Sequence, residues 1–116
     1  MTDPALDLTD YRRGARELAN RRQEARRDYV RYAEQAANAD RNYRKTLAKA
    51  FAEARAGGDL TAKQAELEAD AKASDAKHRR AIAESMAKSA LLRIEECERD
   101  AATLRTVYEA GRKEGL

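Results

Sequence analysis

The chain has no tryptophan and, in 116 residues, only one phenylalanine, one proline, one cysteine and one histidine. Each scarcity removes a class of protein. A lone Cys97 cannot close an internal disulfide, which excludes a disulfide-stapled secreted domain and fits a reducing compartment. One cysteine with one histidine, His78, cannot make a zinc constellation, so no metal is expected. His78 lies beside Arg79 and Arg80 and reads as a surface residue; Cys97 reads as a small buried hydrophobe. Five glycines are too few and too scattered for a phosphate loop, and Gly57-Gly58 has no following Lys-Ser/Thr. The acids Glu95, Glu96 and Glu98 lack the Glu-x-x-His spacing of di-iron bundles. No catalytic residue and no cofactor is therefore expected, and the protein reads as non-enzymatic. No run approaches the ~20 apolar residues of a membrane span, and the first residues, MTDPALDL, carry no basic leader. A cytoplasmic protein is the expectation.

What is present is alanine and charge. Hydrophobic residues are 42% of the chain but mostly alanine, and 39% of residues are charged. With so few helix breakers this is the composition of long helix or coiled coil. After a flexible N-terminal arm over residues 1–8, with Thr9 as the N-cap, a helix is predicted over 10–56. Gly57-Gly58-Asp59 interrupts it, and Thr61 with Gln64 reads as a capping box that restarts a helix over 62–110. A tail follows at 111–116. Two helices of nearly equal length across a glycine turn predict one all-α domain over 9–110, a long antiparallel two-helix hairpin.

The apolar stripes support that fold. In the first helix they run through Tyr11, Leu18, Ala25, Tyr29, Tyr32, Ala36, Tyr43, Leu47 and Ala54, with an interruption at Arg22. In the second, Ala83, Ala87, Ala90, Ile94, Cys97, Ala101, Leu104 and Tyr108 alternate steps of four and three. Folding about Gly58 would place Tyr11 near Thr106, Leu18 near Arg99 and Tyr32 near Met86. Alanine seams bury little area, so such a hairpin is expected to self-associate into a helical bundle, a homo-oligomer. Val30, Ile82, Leu91, Leu92 and Val107 fall outside the main seam and are the candidate oligomer or partner interface.

Charge is unevenly placed although the net is only +3. From Tyr11 to Arg31 there are eight arginines (12, 13, 16, 21, 22, 26, 27, 31) against three acids (17, 24, 28), a local excess of five. From Gly57 onward, 11 basic residues face 12 acidic ones, a net of −1. Arginine suits bidentate contact with phosphate, and tyrosines interleave with it. Arg12, Arg13, Arg16, Arg21, Arg26, Arg27 and Arg31 are the candidate nucleic-acid-binding residues, with Tyr43, Arg44 and Lys45 as an extension. Arginine on phosphate with aromatics on bases is the logic of single-strand binding. The bland alternatives are tyrosines that pack in the seam and arginines that form a solvated face.

The stretch Tyr43 to Arg55 (YRKTLAKAFAEAR), the glycine turn with its Thr61 cap, and Arg80 to Ala90 (RAIAESMAKSA) resemble small helical proteins of tailed-phage replication and recombination modules. The resemblance covers roughly residues 30 to 110 and is one of pattern. It implies a mediator-like role: a helical oligomer in the host cytoplasm that binds single-stranded DNA and helps a recombinase, annealing protein or single-strand-binding protein. A protein-interaction or scaffold module without nucleic acid is the competing expectation.

Overall fold

The computed structural model describes residues 6–114, and all its regular structure there is helical: α1 (Leu8–Ala56), α2 (Ala62–Lys72) and α3 (Ser74–Glu114). α1 begins earlier than Thr9 because Asp7 caps it. The Asp7 carboxylate accepts from the Asp10 amide at 2.8 Å, and a carboxylate is at least as good a cap as a threonine hydroxyl. Leu8 is thus helical rather than part of an arm, and residues 1–5 of that arm lie outside the described residues.

α1 ends where glycine allows it to. Gly58 takes φ +77° and its amide donates to the Arg55 carbonyl at 3.1 Å, a left-handed helix stop. Arg55 also donates through its guanidinium to the Leu60 carbonyl at 2.9 Å. The restart is a complete capping box: the Gln64 amide donates to Thr61 Oγ1 at 3.2 Å, and the Thr61 amide donates to Gln64 Oε1 at 3.0 Å.

The expected single second helix is two. α2 stops at Ala73, which is fully buried with φ −91° and ψ 3°. The alanine stripe changes period at this point. It runs Ala65, Ala69, Ala73 in steps of four, then settles into alternating threes and fours from Ala76 through Ala83, Ala87 and Ala90. A stutter of this kind must be absorbed by local unwinding. The backbone keeps its ladder around the break, with bonds of 2.9 Å from Ala73 to Ala69 and from Lys77 to Ala73. At the far end α3 runs through Gly111 to Glu114, so residues 111–114 are not a tail, and 115–116 lie outside the described residues. Gly111 is half-buried one step of three beyond Tyr108, and a glycine penalty of about 1 kcal/mol does not end a helix that is still packing.

The chain divides into two compact units, the first made of Met1–Tyr29 with Ser89–Leu116 and the second of Val30–Lys88. Val30–Lys88 contains the turn, and here the end of α1 packs antiparallel against α2 and the start of α3. Its buried positions are Ala50, Ala54, Ala65, Ala69, Ala73, Ala76, Ala83 and Ala87. The Arg80 guanidinium lies 4.4 Å above the Tyr43 ring and reaches Asp40 at 3.3 Å, while Asp40 also holds Arg44 at 3.0 Å.

Met1–Tyr29 with Ser89–Leu116 forms the other unit, where the start of α1 packs against the end of α3. Among the described residues only Ala25 and Ala90 are buried there. Its register is set by larger groups: Tyr11 stacks on Tyr108 at 4.4 Å, Gly14 faces Leu104, Arg22 meets Glu98 at 3.3 Å and Arg93 meets Asp28 at 3.1 Å. Tyr11 therefore faces Tyr108 and not Thr106, a shift of two residues from the expected pairing. The shift brings aromatic against aromatic and gives both arginines an acid. Arg22 belongs to the seam rather than interrupting it, with its Nε buried.

Candidate nucleic-acid interface

The first three turns of α1 and the three that follow sort their side chains by sign. The seam takes Tyr11, Gly14, Leu18, Arg22 and Ala25. Half a turn away, Thr9, Arg12, Arg13, Arg16, Asn20, Gln23 and Arg27 follow one another in steps of one to four along the opposite side. Arg26 borders this stripe. Every one of these side chains is exposed, and every one offers a hydrogen-bond donor. No acid lies on the stripe. Asp10, Glu17, Glu24 and Asp28 fall together on one flank, Asp28 engaged by Arg93.

Arg12, Arg13, Arg16 and Arg27 are thus brought together on one outward face, with Arg26 at its border. Among the described residues none of them makes an ion pair. Thr9, Arg12, Arg13 and Arg16 also line an open concavity of about 310 Å³. Thr9, Asn20 and Gln23 were not among the sequence candidates, although their spacing from the arginines places them on the same stripe.

The other candidates do not join that face. Arg21 lies on the acidic flank, between Glu17 four residues before it and Glu24 three after. Arg31 belongs to the second unit, where its guanidinium sits 4.8 Å over the Tyr32 ring and donates to the Tyr32 hydroxyl at 2.9 Å. Arg44 is engaged with Asp40, and Lys45 is exposed in that same unit.

Three of the tyrosines are engaged within the fold. Tyr11 is spent on Tyr108, Tyr43 lies beneath Arg80 and Tyr32 accepts from Arg31. Tyr43 is half-buried and packs in the seam. Only Tyr29 reaches 36% exposure, and it points to the seam side of α1.

The proposed interface residues are exposed and are divided between the two units. In the first unit Leu91 and Leu92 are neighbours in sequence and so point about 100° apart, with Val107 about four turns further on. In the second, Ile82 and Met86 share a face of α3, while Val30 and Leu67 (64% and 63% exposed) stand on other helices. Cys97 is half-buried and His78 exposed. Among the described residues no group of His, Cys, Asp and Glu could hold a metal ion, and no helix is long and apolar enough to cross a membrane. Comparison of the chain with protein-family models, with curated proteins and with solved structures finds no match.

Proposed function

We propose that this chain is a non-enzymatic, cytoplasmic accessory protein that binds single-stranded DNA along the outward face of α1, in the manner of a phage recombination or replication mediator acting beside a recombinase or annealing protein. The observation that carries the reading is the sorting of charge in the first unit. Four exposed arginines, Arg12, Arg13, Arg16 and Arg27, and three neutral donors share one stripe, with Arg26 at one border and Glu17 and Glu24 at the other. A merely solvated helix face alternates signs, because i, i+4 pairs of opposite charge stabilise it. Among the described residues this stripe's guanidinium groups make no ion pair, although Glu17 and Glu24 stand at its edge.

With the tyrosines engaged in the seam, contact is to phosphates, and base sequence is not read. Binding should then be governed by counterion release, with a slope on single strands of about −0.7 per phosphate neutralised, or about −3.5 if all five arginines engage. The homo-oligomer is part of this proposal. Its support is that every buried position among the described residues is an alanine, too small a core to be comfortable alone.

The test is binding of a labelled single strand of about 40 nucleotides at about 50 and about 200 mM salt. The reading expects roughly a hundredfold loss of affinity between the two. Absence of binding at the lower salt would sink it. A protein-docking or scaffold module would then stand, favoured by the exposed Ile82, Met86, Leu91, Leu92 and Val107.

A further inference from the structure

The arginine face is not uniform along its length, and its N-terminal end has a different chemistry from the rest. Arg12, Arg13 and Arg16 stand at i+3, i+4 and i+7 from Thr9, so the three side chains share one side of the helix with its hydroxyl. Arg12 and Arg16 are separated by a rise of only about 6 Å. Together the four residues line the concavity of about 310 Å³. Further along, Arg26 and Arg27 form a pair with no hydroxyl, beyond the neutral Asn20 and Gln23.

Asp10 and Glu17 flank Arg13 at i−3 and i+4, yet among the described residues neither is paired with it. The Asp7 carboxylate already serves the α1 backbone by accepting from Asp10, so the cluster acts through side chains and not through the helix end.

We infer that Thr9, Arg12, Arg13 and Arg16 form a site for a terminal phosphate monoester of a nucleic-acid strand, distinct from the diester contacts made by Arg26 and Arg27. This rests on the nucleic-acid reading above. A backbone diester carries one negative charge, whereas a terminal monoester carries nearly two and presents three acceptor oxygens. Three neighbouring guanidinium groups and one hydroxyl lining one concavity match the second and exceed the need of the first. The site anchors the end of a strand, and the remainder of the stripe follows the backbone away from it.

The experiment compares three probes on the full chain: a short strand of about 12 nucleotides with a 5′-phosphate, the same strand with a 5′-hydroxyl, and inorganic tripolyphosphate. The variants are R12Q/R13Q/R16Q, R26Q/R27Q and T9A, all at exposed positions, with helix content checked by circular dichroism. The inference expects the phosphorylated strand to bind at least about fivefold more tightly than the hydroxyl strand, since two extra charge-assisted hydrogen bonds suffice for that. R12Q/R13Q/R16Q should abolish that preference and T9A reduce it. R26Q/R27Q should weaken both strands by one factor and leave the preference intact.

Equal binding of both strand ends, with the two arginine variants weakening them alike, overturns the inference and leaves the DNA-binding face standing. Tripolyphosphate held by the wild type and lost in R12Q/R13Q/R16Q, with no effect of the strand end, overturns the strand-end assignment in favour of a free phosphate ligand. No binding of any probe overturns both the site and the face.

Discussion

A methyl group added at Gly14 would lie 3.0 Å from Leu104 Cδ2, close enough that one of the two must move. Leu104 is half-buried, and the atom in the way is the free end of its side chain, so Leu104 can yield by a rotation. Against that small cost stands the helix preference of alanine over glycine, about 1 kcal/mol at an interior position of α1. Gly14→Ala is therefore expected to stabilise the protein by about 0.5 kcal/mol, read as a higher urea midpoint, while Gly14→Leu overpacks the contact and lowers it by about 1–3 kcal/mol. A destabilised Gly14→Ala would mean that the Leu104 end is pinned. The alanine seam and its tyrosines were legible in the sequence at this level, but Gly14 and Arg22 were not. A glycine shows no apolar side chain to count. An arginine in the seam registers as a break unless its aliphatic stem is credited with packing while its head reaches an acid, as Arg22 does toward Glu98.

The turn between α1 and α2 was legible almost atom by atom, because glycine at a left-handed stop and threonine three residues before glutamine each have one dominant use. These two devices can be tested separately. Gly58→Ala forces a Cβ into φ +77° and is expected to cost about 1–2 kcal/mol. Thr61→Ala removes the acceptor of the Gln64 amide and is expected to cost about 1 kcal/mol. Thr61→Ser should restore most of the latter, and an unchanged thermal midpoint in Thr61→Ala would show that the box frays in solution. The break at Ala73 was not legible, since no proline, glycine or capping side chain marks it. Its only trace is the change from successive steps of four to alternating steps, visible once the buried alanines are known. The register was also beyond reach. Folding about Gly58 assumes equal rise on both sides, and the α2–α3 break together with the Tyr11–Tyr108 stack moves the pairing by two residues.

Burial across the described chain decides whether it stands alone. All ten buried positions are alanines, and each adds about one methyl group, near 0.8 kcal/mol, to the apolar ledger. The ion pairs that fix the register are largely exposed, in the class that contributes about 0.2–1 kcal/mol each. A chain held this weakly gains most from a second copy, and association leaves a mark that a monomer cannot produce: a melting temperature that rises with concentration. For a dimer of chains this size, with an unfolding enthalpy of about 0.7 kcal/mol per residue, the rise is about 3 °C for each tenfold increase in protein. Ile82 and Met86 are the exposed apolar pair that shares one face of α3, so I82Q/M86Q should reduce that dependence if they meet a neighbour. The variant should melt like the wild type when both are dilute, because the substitutions touch nothing buried within one chain. A concentration-independent melting temperature with a monomer mass by light scattering would remove the oligomer from the proposed function. The arginine stripe would then bind DNA as a single copy, with no avidity to add to its own five charges, and the salt slope would be the whole measure of its affinity.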